Sequence, residues 1–238
     1  IYVNPQPDTK QLFEHYDKEY YKPWLNEQSA AKLKMWQRRL KKTTLFKNGG
    51  RLLDVGCGTG AFLNEAKQKG WQAWGTEVSG YAAEYTRNFF GIDCFYGELK
   101  DAHLPGDFFD LITMYHVLEH TTDPFANLAE ARRILKPGGV MIIAVPNSHN
   151  YIFRAAYMLF KLRRYKMFSE DAREPHLYYF SKNTLKKLLR KAGLEVFRLD
   201  IDRERTALGE RFLDDIAWVI YKISRVNVGM AFEIYGKK

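Results

Sequence analysis

A short apolar segment followed by three glycines at alternate positions constrains the fold of this chain most strongly. Leu52 to Val55 is typical of a buried strand, the glycines are Gly56, Gly58 and Gly60, and the residues from Ala61 onward have helical spacing. Glycine reaches positive φ freely and lets a ligand approach the backbone closely. The segment therefore predicts a strand–turn–helix unit that presents a helix N-terminus, with its unpaired N–H groups, to a ligand.

The glycine-rich turn by itself leaves the ligand open. Read from Gly56, the letters G-C-G-T-G-A also fit the fingerprint of dinucleotide-binding proteins. A second strand, predicted at 71–77, ends in Glu77, about 20 residues after the turn, where a carboxylate can accept hydrogen bonds from both ribose hydroxyls. Glu77 therefore supports nucleoside binding without choosing between cofactors.

Residues 51–146 alternate between strand and helix patterns, and this alternation predicts a parallel, doubly wound α/β sheet with ligands at the carboxyl ends of its strands. We expect a helix from Ser181 to Ala192, a returning strand at 194–201 and a last strand near 230–235, with Lys136 to Gly139 forming a tight stop between helix and strand. The predicted strands of the alternating part are 51–56, 71–77, 92–96, 108–115 and 138–146, and the helices are about 60–69, 79–90 and 123–136.

Two further segments complete a single domain over residues 1–238. Residues 8–47 are rich in aromatic and basic residues and predict an N-terminal helical cap, which Pro23 is expected to break into two helices. Residues 148–178 form an insertion that we expect to act as a lid over the substrate.

Composition narrows the class of protein. The 46% hydrophobic content and 27% charge are typical of a globular protein, and no apolar run approaches the roughly 20 residues that span a bilayer. The first residues lack the pattern of a signal peptide and begin without Met, so we expect that an upstream piece is missing. Cys57 and Cys94 are expected to be reduced core residues, which favours the cytoplasm.

Asp54, two residues before the first glycine, shifts the balance between cofactors. The pattern D-x-G-x-G-x-G resembles motif I of the class I S-adenosylmethionine (SAM) methyltransferases. The order and spacing of the later motifs over residues 50–200 are similar to the small-molecule methyltransferases of the ubiquinone-biosynthesis-like group. These motifs are F-D-L-I at 109–112, H-V-L-E-H at 116–120, R-I-L-K-P-G-G at 133–139, V-P-N at 145–147 and P-H-L-Y-Y-F-S at 175–181. The resemblance implies a seven-stranded, Rossmann-like sheet with an antiparallel last strand, SAM as cofactor and S-adenosylhomocysteine as product.

The resemblance also assigns cofactor residues position by position. Glu77 is expected to hold the ribose, and Val78 to lie beside the adenine. Tyr115, at the end of the fourth strand, is expected near the sulfonium, where its ring could attract the positive sulfur or could simply belong to the core. The methionine end of SAM is assigned to Asp54, Gly56, Cys57, Gly58 and Gly60, and the adenine side also to Glu98 and Leu99.

Histidines are the candidate bases for a phenol or alcohol acceptor. His116 is the first candidate because it follows the fourth strand directly, and His176 is the second; each could instead be a structural histidine, as we expect for His120. The H-x-x-E-H letters at 116–120 also match inverted zinc peptidases, but the motif follows a strand rather than lying on a helix. A metal site from these residues departs from the pattern of related enzymes, and no metal is predicted.

The residues at the end of the fourth strand and the distribution of charge constrain the acceptor. Thr113 to His116 replaces the N/D-P-P-Y signature of base and glutamine methylation, so exocyclic amino groups are not the expected acceptors. RNA stays open on this ground, but no motif beyond the net charge favours nucleic acid as the acceptor. Residues 51–146 hold 8 basic and 12 acidic residues, whereas the whole chain carries +9, so the flanks are basic. Asn150 to Phe168 carries five basic residues among apolar ones at helical spacing.

We consider two interpretations of the 150–168 segment: an ordinary lid packed on the domain, which we prefer, and a lid that contacts an anionic membrane or a lipid-linked acceptor. For the whole chain we expect methyl transfer to a small or lipid-like molecule at oxygen. The alternative is a SAM-binding regulatory or scaffold subunit without catalysis, and an NAD-dependent dehydrogenase ranks below both.

Overall fold

A seven-stranded sheet forms the centre of the computed structural model, which describes residues 2–3, 13–26, 30–161, 176–204 and 208–238. Its strand order is β3-β2-β1-β4-β5-β7-β6. β7 runs antiparallel to β5 and β6, and the pairs formed among β1 to β5 are parallel, as predicted. In chain order the strands are β1 (Gly50–Val55), β2 (Trp71–Glu77), β3 (Asp93–Tyr96), β4 (Phe109–Tyr115), β5 (Leu135–Pro146), β6 (Glu195–Ile201) and β7 (Ala231–Lys237).

Helices cover both faces of the sheet because successive strand residues point to opposite sides. On the face that carries Leu52, helices α2, α3 and α4 pack over the sheet; on the face that carries Leu53, helices α5 and α7 do so. The helices are α1 (Lys18–Asn26), α2 (Ala30–Thr43), α3 (Ala61–Gln68), α4 (Gly80–Phe90), α5 (Pro124–Ile134), α6 (Tyr151–Lys161), α7 (Lys182–Lys191) and α8 (Leu208–Ser224).

Side-chain caps fix where the helices of the doubly wound part begin. Ser79 accepts a hydrogen bond from the N–H of Ala82, and Asp123 and Ser181 cap α5 and α7 in the same way. The predicted cap at Ser181 is therefore confirmed, and the helix it starts ends one residue before the expected Ala192.

Two predicted boundaries are wrong. Pro23 does not break the N-terminal helices, because α1 runs through it to Asn26 and the loss of one backbone hydrogen bond does not end the helix. The stop at 136–139 is also absent: α5 ends at Ile134, and Leu135 already pairs with Phe109, so the proline and glycines lie at the start of β5.

The C-terminal third contains a helix that the sequence patterns did not predict. α8 occupies the connection between β6 and β7. Of the insertion at 148–178, residues 151–161 form α6, whereas 162–175 lie outside the described residues, as do residues 8–12 of the N-terminal cap. Among the helices described, none combines the length and the apolar character needed to span a membrane.

Candidate active site

The carboxyl edge of the parallel strands gathers the polar residues that sequence analysis singled out. β1 ends at the glycine loop, β2 ends at Glu77, β4 is followed by His116, and β6 is followed by Asp202. Since parallel strands end on the same side of the sheet, these groups converge although up to 146 positions, from Gly56 to Asp202, separate them along the chain. This edge is the candidate active site.

The three glycines of the loop have different surroundings. All have positive φ: 66° at Gly56, 54° at Gly58 and 76° at Gly60. A Cβ atom at Gly56 would lie 2.5 Å from Val117, and one at Gly60 would lie 2.7 Å from Thr86. At Gly58 the nearest atom would be Cε1 of Tyr21, at 3.5 Å. Gly56 and Gly60 are therefore needed for packing, whereas the face of the loop at Gly58 is less closely packed. We call it the ligand face, because the family resemblance assigns the cofactor to it.

Glu77 lies directly against this ligand face. Its side chain is 3% exposed; Oε2 accepts a hydrogen bond from the Gly58 N–H at 2.8 Å, and Oε1 accepts from the Ser79 N–H at 2.9 Å and the Tyr21 hydroxyl at 3.2 Å. Burial raises the pKa of Glu77 in spite of these donors. The structure therefore joins two residues that the sequence analysis assigned to neighbouring parts of the cofactor, the ribose and the methionine end.

The segment after β3 lies beside Glu77. The Gly97 N–H donates to the Glu77 carbonyl at 2.9 Å, which brings Glu98 and Leu99 next to the end of β2. Leu99 is buried, Val78 is half-buried, and Glu98 pairs with Lys100 at 2.9 Å. An apolar contact and a carboxylate are therefore available on the side assigned to the adenine.

Asp54 and Cys57 direct their side chains into the protein rather than towards the open face. The Thr113 hydroxyl donates to Asp54 Oδ1 at 2.6 Å, and burial, opposed by this bond, raises the pKa of Asp54 to about 7. The Cys57 sulfur lies 3.5 Å from that of Cys94, and both thiols are free and buried. Any contact of Cys57 with a ligand is therefore made by its backbone.

Tyr115 already has a cation over its ring. The Arg39 guanidinium lies 4.1 Å from the ring centroid, and the rings of Trp36 and Phe62 pack against the same side chain. Burial is the largest cause that raises the pKa of the Tyr115 hydroxyl. In this structure the aromatic face expected near the sulfonium is used by a protein cation.

His116 is held between two carboxylates. Nε2 lies 3.0 Å from Asp202 Oδ2, and Nδ1 lies 3.4 Å from Glu119 Oε1. Burial opposes the charged imidazole, but the bonds to Asp202 and Glu119 outweigh it and raise the pKa of His116. Both ring nitrogens therefore face acceptors, a geometry that suits a protonated imidazolium.

A buried network of charges connects His116 to the N-terminal helices. Arg39 of α2 pairs with Asp202 at 2.9 Å, and its second terminal nitrogen lies 3.9 Å from Glu233 of β7. Lys42 bridges Glu233 and Glu204 at 3.0 and 3.2 Å. Sequence analysis missed Arg39 and Asp202, although the position of Asp202 directly after a predicted strand could have indicated a place at the edge of the site.

His176 joins the site through backbone pairing. The N–H groups of Leu177 and Tyr178 donate to the Glu119 carbonyl at 2.8 and 3.1 Å, which anchors the end of the insertion to the turn after β4. A carboxylate oxygen of Glu119 and ring nitrogens of His120 and His176 lie within 4.8 Å of one another. These three residues are the group within the described part of the chain that could hold a metal ion.

The electrostatics of this second cluster favour positive charge. Glu119 is fully buried; burial acts to raise its pKa, but the bond to His116 and the nearby His120 and His176 outweigh it, so the pKa is lowered. An ionised carboxylate among three imidazoles can stabilise a proton on a neighbouring histidine or a bound cation. The site thus has two sides, one around Glu77 and one around Glu119. We call them the nucleoside side and the acid–base side, after the roles that sequence analysis predicted for Glu77 and for the histidines.

A family model described as a methyltransferase domain matches residues 13–199 of the chain. Two relatives are named for quinones. A ubiquinone biosynthesis O-methyltransferase of Cereibacter sphaeroides is 30% identical over 138 residues, covering 56% of this chain and 54% of the relative. A demethylmenaquinone methyltransferase of Staphylococcus saprophyticus is 29% identical over 136 residues, covering 53% and 58%. The chain thus spans little more than half the length of these relatives.

A solved structure supports the fold across nearly the whole chain. A SAM-dependent methyltransferase of Thermotoga maritima, described as a possible histamine N-methyltransferase, has a TM-score of 0.63 and 23% identity. The match covers 96% of this chain and 99% of that one. At this identity the similarity establishes the class I, Rossmann-like fold and leaves the acceptor open.

Proposed function

This chain belongs to the family of class I SAM-dependent methyltransferases, and we propose that it transfers the methyl group of SAM to an oxygen atom of a small-molecule or lipid-like acceptor. The observation that carries the proposal is the contact between Gly58 and Glu77 at 2.8 Å, which places a ligand-accessible glycine loop against a buried carboxylate. One relative is named as a ubiquinone biosynthesis O-methyltransferase and another as a demethylmenaquinone methyltransferase, which supports a quinone-related acceptor, and the first name supports transfer to oxygen.

The protein's part in this reaction is to bind and align, because SAM brings an already activated methyl group when bound. Glu77 accepts hydrogen bonds from the ribose diol, Val78 and Leu99 pack on the adenine, and Glu98 accepts from its amino group. The backbone of the loop from Gly56 to Gly60 receives the methionine end, as the family resemblance implies.

His176 is the better of the two proposed bases. A phenol must lose its proton as the methyl group arrives, and a base that already holds its proton cannot accept another. Both nitrogens of His116 face carboxylates, whereas His176 lies beside the ionised Glu119, which stabilises the imidazolium that proton transfer creates. We therefore assign His116 to positioning of the turn after β4 and His176 to proton removal.

A surface of α6 and α8 supports a lipid-like acceptor. The apolar side chains of α8 that face solvent recur at helical spacing, and they are Phe212, Ile216, Val219, Ile220 and Ile223. Met158 and Leu159 of α6, which packs against α8, are also exposed. With Lys222 and Arg225 exposed close by, this surface suits the headgroup region of an anionic membrane. We propose that the protein takes its acceptor from such a surface.

Transfer of label from SAM tests this proposal. The protein is incubated with methyl-labelled SAM and a cell extract separated into lipid, polar-metabolite and nucleic-acid fractions. We expect label in the lipid fraction, and the carbon shift of the new methyl group distinguishes a methoxy product from a carbon-bound one. Label in nucleic acid, or a carbon-bound methyl group, contradicts the assigned acceptor. SAM binding without transfer in any fraction favours the non-catalytic alternative.

Variants separate the proposed base from the cofactor site. His176→Asn is expected to reduce the rate at saturating SAM by about 10²–10⁴-fold without weakening S-adenosylhomocysteine binding. His103→Asn is the matched control, because His103 is exposed at the end of a short 3₁₀ helix and its φ of 47° is one that Asn tolerates. Equal activity of the two variants contradicts the role of His176.

A further inference from the structure

Tyr21 of α1 lies on the ligand face of the glycine loop. Its hydroxyl donates to Glu77 Oε1 at 3.2 Å, and its ring edge lies 3.5 Å from the place where a Gly58 side chain would begin. The residue is 8% exposed, and burial followed by the charge of Glu77 raises the pKa of the hydroxyl, so it remains a donor. A tyrosine that sits 56 positions before Glu77 thus fills space that belongs to the cofactor site.

The Glu77 carboxylate has too few free acceptor positions for a ribose diol. An ionised carboxylate offers about four lone-pair positions. The N–H groups of Gly58 and Ser79 and the hydroxyl of Tyr21 occupy three of them, which leaves one. A ribose diol donates two hydrogen bonds, so one protein donor must leave. The two N–H donors are fixed by the turns at the ends of β1 and β2, whereas Tyr21 is carried by a separate helix.

Among the described residues, α1 has no buried ion pair to the site, whereas α2 has two. Lys18 lies 5.6 Å from the ring centroid of Tyr81 on α4, and the Tyr16 ring just before α1 packs edge-on against His120 at 6.2 Å. α2, by contrast, is anchored by the buried pairs of Arg39 and Lys42. α1 can therefore shift over the site while α2 stays in place, and its neighbouring segment reaches from the nucleoside side to His120 on the acid–base side.

We propose that Tyr21 is a gate of the cofactor site, whose hydroxyl takes the place of a ribose hydroxyl on Glu77 in the empty enzyme and withdraws when SAM binds. The inference rests on the assignment of Glu77 as the ribose-binding residue in the proposed function. With such a gate, the Tyr21 hydroxyl and a ribose hydroxyl compete for the Glu77 carboxylate. Binding of the cofactor is therefore coupled to the position of α1.

Tyr21→Phe tests the gate because it removes the competing hydroxyl and keeps the ring. Calorimetric titration with S-adenosylhomocysteine is expected to show about tenfold tighter binding to this variant than to the natural protein, the effect of one hydrogen bond to a charged group. The melting temperature of the ligand-free variant is expected to fall by roughly 3–6 °C, because the same bond stabilises the empty protein. A gate gives tighter binding together with a lower melting temperature, whereas a residue that only supports the fold lowers the melting temperature without tightening binding.

Two further variants make each outcome decisive. Tyr20→Phe, the neighbour on the same helix, is expected to leave the affinity unchanged. Glu77→Gln is expected to weaken binding at least tenfold; if it binds like the natural protein, the ribose assignment itself is wrong. If Glu77→Gln loses affinity while Tyr21→Phe binds as well as the natural protein or more weakly, the cofactor site is supported and the gate is refuted. Weaker binding by Tyr21→Phe would show that Tyr21 contacts the cofactor instead.

Discussion

At the scale of single residues, the site depends on what faces each backbone position. The three loop glycines look equivalent in the sequence, yet Gly56 and Gly60 are closed in by Val117 and Thr86, and Gly58 faces the cofactor side. A substitution at Gly58 therefore acts on binding, whereas substitutions at the other two act first on folding.

Gly58→Val is expected to weaken S-adenosylhomocysteine binding at least 100-fold, because its side chain fills the ligand face. The positive φ of 54° adds a loss of about 1–2 kcal/mol in the free energy of unfolding. Gly70→Val is the matched control: its φ is 85°, and a Cβ there would meet nothing within 4 Å. Calorimetry and chemical denaturation should give similar stability losses for both variants but loss of binding for Gly58→Val alone.

His116 combines backbone strain with a charged hydrogen-bond network. Its φ of 58° is in the left-handed region, and its ring is held by Asp202 and Glu119. Replacement of one of these carboxylates would leave the remaining buried charges poorly compensated.

The raised pKa of His116 predicts a pH-dependent stability. Because the folded protein holds the imidazole proton more tightly than the unfolded chain does, the stabilisation is fully present below about pH 6.5, the unfolded pKa. It is lost as the pH rises through the folded pKa. We expect the difference in unfolding free energy between the natural protein and His116→Asn to shrink from pH 6 to pH 9 in urea denaturation. A difference that stays constant or grows over this range contradicts the paired geometry.

At the scale of elements, α8 is an amphipathic helix whose outer apolar face is exposed to solvent. Its inner face packs on β6 and is fixed by the Tyr221 hydroxyl, which donates to the Leu199 carbonyl at 3.1 Å, and by buried Asp214 and Ala217. The outer face has no comparable role in the core, which is why we propose it as the surface that contacts a membrane.

Phe212→Asp is expected to reduce co-sedimentation with anionic vesicles at low salt several-fold and to change the unfolding free energy by no more than about 0.5 kcal/mol. Phe89→Asp on α4 is the control, because both phenylalanines are 65% exposed but lie on different helices. The membrane contact is excluded if the natural protein does not bind anionic vesicles or if neither variant changes its sedimentation with them. If the natural protein is a dimer that dissociates in Phe212→Asp, the exposed face serves self-association instead.

At the scale of the whole molecule, the site is assembled from distant parts of the chain. Arg39, His116, Asp202 and Glu233 come from α2, the turn after β4, the end of β6 and the middle of β7. The N-terminal helices are therefore part of the active site and not only a cover for the sheet.

Ligand-dependent stability distinguishes the cofactors for the whole protein. S-adenosylhomocysteine at 100 times its Kd is expected to stabilise the fold by about 2.7 kcal/mol, which raises the melting temperature by roughly 5–10 °C. NAD⁺ at the same concentration is expected to give no shift, because the family to which the chain belongs uses SAM as its cofactor. Stabilisation by NAD⁺ but not by S-adenosylhomocysteine contradicts the cofactor assignment.

The sequence by itself determined the class of fold and the cofactor edge. Strand and helix periodicity, the glycine loop and Glu77 are local features, and their positions relative to a strand end do not depend on distant contacts. The cap at Ser181 was predicted in this way, whereas the seven strands and the antiparallel β7 were implied by the family resemblance, and all three are confirmed. The helix–strand boundary at Leu135 was predicted wrongly because pairing with Phe109 overrides the local signal of the proline and glycines.

Only the tertiary structure decided which polar side chains pair with one another. Burial brings Arg39 to Tyr115 and Asp202, commits both nitrogens of His116, and leaves His176 beside Glu119. It also places Tyr21 on Glu77. These contacts join positions far apart in the chain, and their strength comes from exclusion of water, a property of the assembled molecule that no local pattern encodes.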